Sequence, residues 1–209
     1  MENIVNVLVI ENPHALSSIM KELLKQSKGD DGSFILSEKE KLYKLSKEIA
    51  LLLEPFTIDC NEKRILTKLY QELKIQVDEN MSEETMELNA KIIDYLDKVT
   101  MTVPYLTTFQ LEYDVLGLFK LLGVGLEYNE TSLCENIISY LKALSQLCGY
   151  RTIVFLNLKS FLSSNDIMYL YEFAFYNKLN LILIENTLHK VLQNEKTCII
   201  DKDMCVINI

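Results

Sequence analysis

Four stretches of this chain are almost continuously apolar: Val5-Asn-Val-Leu-Val-Ile10, Ile49-Ala-Leu-Leu-Leu53, Thr152-Ile-Val-Phe-Leu156 and Asn180-Leu-Ile-Leu-Ile184. A strand without a polar face must be covered on both sides, which calls for a mostly parallel sheet with helices on each face. The segments between the strands supply such helices. Pro13 to Ser27 repeats Leu16, Ile19, Met20, Leu23 and Leu24 at helical spacing, with proline in the first turn, where no N–H is missed. Ser132-x-x-Glu135 and Ser163-x-x-Asp166 are capping boxes that open helices ending near Cys148-Gly149 and Asn177. Smaller elements are also predicted: strands at Phe34–Leu36 and Val124–Glu127, and a terminal strand pair, Cys198–Ile200 with Met204–Ile207. Ser37-x-x-Glu40 reads as the cap of a short helix, and Leu188 to Leu192 as another.

One segment breaks the alternation. From Asn61 to about Val103 the pattern is purely helical, with one stripe of Ile65, Leu66, Leu69, Leu73 and Val77 and a second of Met86, Ala90, Ile93, Leu96 and Val99 or Thr100. Two long amphipathic helices joined near Asp78–Ser82 make a projecting antiparallel hairpin, followed by a helix from about Tyr113 to Leu122. The expected fold class is α/β, with a mostly parallel sheet head at 1–60 and 124–209 and an inserted helical leg at 61–123. With 49% hydrophobic and 24% charged residues the chain is a folding one, not a disordered one. No apolar run approaches the ~20 residues of a membrane span. Five cysteines, widely spaced and without a C-x-x-C pair, join only two histidines, which disfavours zinc and reads as buried reduced thiols. The expected compartment is the cytoplasm, with no membrane partner.

The net charge of −9 argues against nucleic acid until its distribution is read. Residues 75–135 hold three basic and twelve acidic side chains, whereas 21–74 and 136–209 are each close to neutral. A local basic surface is therefore compatible with the overall acidity.

Parallel sheets bind ligands beyond the carboxyl ends of their strands, so chemistry is sought there first. After the first strand stands Glu11-Asn-Pro-His14 and not a glycine-rich phosphate loop with its lysine. The strand Thr152–Leu156 ends in Asn157, a neutral amide where an ATPase places a magnesium-binding acid. Nucleotide hydrolysis is not expected. His14 with Glu11 reads as the polar start of a helix, and His189 near Glu185 is read in the same way, because no third catalytic group is visible beside either. Ser163-Ser164 lacks the glycines of a nucleophile elbow and reads as a cap. No enzyme signature remains.

Three weaker signals concern binding. Lys21, Lys25 and Lys28 share one helix face away from the apolar stripe, which fits either a solvated face or phosphate contacts. Lys159 follows the strand ending at Leu156, in the favoured ligand crevice. Glu112, Asp114, Glu127 and Glu130 gather where the helical segment meets the α/β core; they are either ordinary surface acids or ligands for a hard cation such as calcium.

The ordered combination of Leu118-Phe-Lys-Leu-Leu-Gly-Val124, Ile153-Val-Phe-Leu-Asn157 with Phe161-Leu-Ser-Ser-Asn-Asp166, and Asn180-Leu-Ile-Leu-Ile-Glu185 resembles a known family. It looks like the small CRISPR-associated protein specific to type II-A systems, the spacer-acquisition component often written Csn-two. The likeness extends upstream through Leu8-Val-Ile-Glu11 and the helical leg, covering nearly the whole chain. It implies a head related in topology to P-loop ATPases but lacking their phosphate loop, and a homotetrameric ring that binds calcium, takes double-stranded DNA by its ends and carries no catalytic activity. The implied companions are the spacer-integrase pair and the RNA-guided effector nuclease. Two features depart from the family pattern: only Met1-Glu-Asn precedes the first core strand, and the acid-rich stretch is thinned to Glu112 and Asp114. A catalytically dead ATPase-like scaffold that binds only protein partners is the competing expectation.

Overall fold

A computed structural model describes residues 3–38, 41–111, 114–127 and 132–209. The chain divides into two compact units, Met1–Cys60 with Tyr128–Ile209, and Asn61–Glu127.

The first unit is built on β1 (Val5–Ile10), β4 (Ile49–Leu52), β5 (Thr152–Leu156), β6 (Asn180–Glu185), β7 (Glu195–Ile200) and β8 (Val206–Asn208), in the order β4-β5-β6-β1-β7-β8. All pairs are parallel except β7–β8. Side-chain alternation sorts the strands into two apolar faces. On one, Ile10, Val154 and Ile184 pack with Leu16, Ile19, Met20 and Leu23 of α1 (Pro13–Ser27). On the other, Val7, Val9, Phe155 and Leu183 are buried, as are Ile137, Leu141 and Leu144 of α6 (Leu133–Gln146) and Leu170 and Ala174 of α7 (Ser164–Tyr176). Both α6 and α7 start where the serine caps predict: Ser132 accepts the Glu135 N–H, and Ser163 and Asp166 form a complete reciprocal box. Among the described residues, no helix is long and apolar enough to cross a membrane.

Departures from the sequence reading have local causes. Ser37 lies in β2 (Leu36–Glu38), paired with β3 (Lys41–Tyr43), and does not cap a helix; its expected partner Glu40 lies outside the described residues. The helix that follows is the single turn α2 (Leu45–Glu48). Leu188–Leu192 is not helical, because the Leu192 N–H donates to Glu195 and the Lys190 carbonyl accepts from the Lys159 ammonium. Of the cysteines, all free, Cys60 and Cys134 are buried, Cys148 and Cys198 half-buried, and Cys205 exposed, so burial is not their common trait.

The second unit contains α3 (Lys63–Asn80), α4 (Ser82–Thr100) and α5 (Val115–Leu121), with Met81 alone linking α3 to α4. Ile65 and Tyr70 are buried and the Tyr70 ring lies 5.9 Å from that of Phe119 on α5. No residue of α4 is buried; Met86, Ala90 and Val99 of the second predicted stripe stay exposed. Val124–Glu127 belongs to this unit and is not a strand. Side chains satisfy its backbone instead: Asn61 accepts the Leu126 N–H at 2.7 Å and donates to the Leu126 carbonyl at 3.0 Å, while the Tyr70 hydroxyl donates to the Val124 carbonyl at 2.8 Å.

Candidate functional site

Only Glu11 and Asn12 separate the end of β1 from the start of α1. Helix N-termini attract anions because their first N–H groups lack partners. Here Asn12 Oδ1 accepts the His14 and Ala15 N–H groups at 3.0 and 3.1 Å, and Pro13 has none to offer. The Asn12 amide donates in turn to the Lys202 carbonyl at 3.0 Å, tying the helix start to the β7–β8 turn. The place where an ATPase cradles phosphates is filled by the chain's own asparagine. His14 is exposed beside it.

At the end of β5, Asn157 adopts the left-handed conformation (φ 52°, ψ 32°), which asparagine tolerates better than most residues. Its side-chain oxygen accepts the Asn186 N–H at 2.9 Å and its own N–H donates to the Ile184 carbonyl at 2.8 Å. The amide thus fastens the ends of β5 and β6 together, a structural task and not a metal-binding one.

Beside it lies the most concentrated buried charge of the first unit. The Lys159 side chain is 6% exposed and its ammonium sits 2.6 Å from the fully buried carboxylate of Glu195. Glu195 also accepts from the Tyr171 hydroxyl at 2.7 Å and the Leu192 N–H at 3.0 Å. Glu185, likewise fully buried, accepts the Lys159 N–H through Oε1 at 3.1 Å. Its Oε2 lies 3.5 Å from His189 Nε2, within ion-pair range but beyond a good hydrogen bond, and has no hydrogen-bond partner among the described residues. Burial pushes the Glu185 carboxyl up to about 7, with the Lys159 N–H and ammonium pulling it down and Glu195 adding to the rise. Burial and the Lys159 charge hold His189 below its ordinary value, and burial with the Glu195 bond raises Tyr171. Three formal charges thus meet with one ammonium among them, and the geometry favours a neutral Glu185.

This arrangement removes Lys159 from the phosphate-binding candidates, since its charge is spent inside the fold. Lys21, Lys25 and Lys28 differ: Lys21 and Lys25 are exposed on α1, opposite its packed face, Lys28 is exposed at the C-cap of that helix, and none forms an ion pair among the described residues. Of the acidic set, Glu112 and Glu130 lie outside the described residues. Asp114 caps α5 by accepting the Leu116 N–H at 3.1 Å, and Glu127 is exposed. Calcium takes six to eight oxygens, so this described half does not by itself fit it. Among the described residues no group of three metal-ligating side chains comes together.

A family model described as CRISPR-associated protein (Cas_Csn2) matches residues 26–204. The chain belongs to the Csn2 family. The CRISPR-associated protein Csn2 of Streptococcus agalactiae is 24% identical over 96% of this chain and 89% of its own length. That of Enterococcus faecalis is 21% identical over 94% and 88%. The crystal structure of Stu0660 of Streptococcus thermophilus superposes with a TM-score of 0.63 at 14% identity, over 98% of this chain and 71% of that one, and shows the shared fold.

For a Csn2 protein the site was half legible in sequence. The missing phosphate loop and the neutral Asn157 were readable; the buried pair was not. Glu185 ends an apolar strand, a weak signal for a carboxylate at the carboxyl end of the sheet, but nothing local announces that Glu195 reaches Lys159 across 36 positions and Tyr171 reaches Glu195 across 24.

Proposed function

We propose that this Csn2 family protein serves CRISPR adaptation as a non-enzymatic, ring-shaped homotetramer that takes double-stranded DNA by its ends, beside the spacer-integrase pair and the RNA-guided effector nuclease. The observation that carries the reading is the α1 face: Lys21, Lys25 and Lys28 are exposed and without ion pairs among the described residues, in a chain of CRISPR-associated kinship. Lysines of this kind neutralise phosphates without reading bases. The Asn12 side chain in the phosphate position and the Asn157 amide at the β5 edge support a role without nucleotide turnover.

Binding of this type is independent of sequence and falls with salt, the log–log slope being about −0.9 per phosphate neutralised. Gel shifts over a salt series test it. Lys21→Ala, Lys25→Ala and Lys28→Ala should weaken all duplexes alike, each flattening the slope by roughly one unit for the phosphate it no longer neutralises. Linear duplex should bind, and relaxed closed circles of equal length should not. Equal binding of circles and linear fragments would exclude threading. No DNA affinity at low salt would favour a scaffold that binds protein partners only.

A further inference from the structure

The outermost strand of the first unit presents an unguarded edge. Ile209 and Thr197 exchange both backbone hydrogen bonds, at 2.9 and 3.3 Å, and Asp201 N–H donates to the Cys205 carbonyl at 3.0 Å. Ile207 stands opposite Ile199. Bonded residues alternate along an antiparallel ladder, so positions 205, 207 and 209 bond inward to β7. The N–H and C=O groups of Val206 and Asn208 therefore face away from the sheet, and among the described residues no strand lies beyond β8. Met204, Val206, Ile207 and Ile209 are all exposed large apolar side chains. Edge strands are normally kept apart by shortness, lysines, prolines, inward charges or a covering helix; β8 is three residues long, but Met204–Ile209 has no charged side chain and no proline.

We propose that β8 pairs antiparallel with β8 of a second copy of this chain, about a two-fold axis passing beside Ile207. In that register Val206 of each copy faces Asn208 of the other, and every outward group of both strands is used in four hydrogen bonds. Centring the pair on Val206 would set Asn208 against Met204, whose φ of 65° takes it out of the strand conformation. A second copy is the occupant because the edge is complementary to itself. In a protein of net charge −9, Met204–Ile209 also lets two copies meet without opposing like charges. The contact rests on the reading of the chain as self-assembling and supplies one two-fold interface of a dimer of dimers.

The test uses the full chain with Cys205→Ser. Ile207 would face its own copy in a non-bonded pair, where Cα atoms are about 4.5 Å apart, inside the disulfide range of roughly 4.4–6.8 Å. Ile207→Cys should give a covalent dimer on mild oxidation that reductant returns to monomer, whereas Val206→Cys, facing Asn208, should not. Val206→Pro removes only an outward N–H and should halve the particle mass seen by light scattering. Ile207→Cys that stays uncrosslinked, or Val206→Pro that keeps the parent mass, overturns the β8 contact; a four-subunit particle persisting in either case leaves the ring reading intact. A parent chain that is monomeric at micromolar concentration overturns both. If Val206→Pro does not fold, the two cysteine variants decide.

Discussion

Replacing Glu185 by glutamine tests the charge state of the buried cluster. Glutamine keeps the shape and can still accept the Lys159 N–H, but it cannot titrate. In the folded chain the carboxyl is raised from 4.5 to about 7, chiefly by burial. Between those values the native state holds a proton that the unfolded chain has released. The associated stability is complete below about pH 4.5 and is lost as pH rises through 7. At 1.36 kcal/mol per unit the loss amounts to about 3 kcal/mol, or roughly 6–12 °C in melting temperature for a chain of this size. His189, held below its ordinary value, titrates in the opposite sense within this window and lies 3.5 Å from Glu185, so its titration is coupled to that carboxyl and the comparison is made in a His189→Gln background. Urea unfolding of the parent and Glu185→Gln at pH 4.5, 6, 7 and 8, at one protein concentration, should show the variant gaining on the parent as pH rises. Parallel stability profiles across that range would refute the reasoning, since they would mean that Glu185 has the same protonation in the folded and unfolded chain.

Lys159→Met leaves Glu195 buried without its cation and should cost about 3–5 kcal/mol in urea unfolding; adding Glu195→Gln should recover part of that loss. Ser163→Ala removes the oxygen that accepts the Asp166 N–H and should cost about 1 kcal/mol, read as a lower urea midpoint with an unchanged slope. Leu170→Ala opens a cavity under α7, where the side chain is fully buried, and should cost about 2–5 kcal/mol. Magnesium-ATP should give no saturable heat in calorimetry and no phosphate release, because Asn12 and Asn157 occupy the groups such chemistry would need; turnover abolished by Asn157→Ala would reverse that expectation.

The central strands were legible because their burial is continuous: a run such as Asn180–Ile184 has no polar face to misread, and the observed β6 extends it only by Glu185. The helices α1, α6 and α7 were legible for another reason, since proline and serine caps act within four residues. Two of the failures lie where side chains take the backbone groups. Val124–Glu127 has strand-like composition, yet Asn61 and Tyr70, 65 and 54 positions away, hold its polar groups. Leu188–Leu192 has helical spacing, yet Lys159 and Glu195 take the bonds a helix would need. The fate of Lys159 was hidden in the same way: its position after β5 was correct, but its pairing depended on Glu195 at the start of β7, 36 residues on.

The double hydrogen bond between Asn61 and Leu126 closes the second unit on itself almost where it leaves and re-enters the first. An insertion stapled at its base looks to its host like a short turn, whatever its length. Loop-closure entropy, which otherwise grows with the number of residues enclosed, is then met inside the insertion and not by the sheet. Such a unit can lengthen, shorten or be exchanged over generations while the strand order of the host stays as it is. Asn61→Ala would therefore be felt first at the base of the insertion, as freer exchange of the Leu126 amide hydrogen, well before the sheet itself loosens.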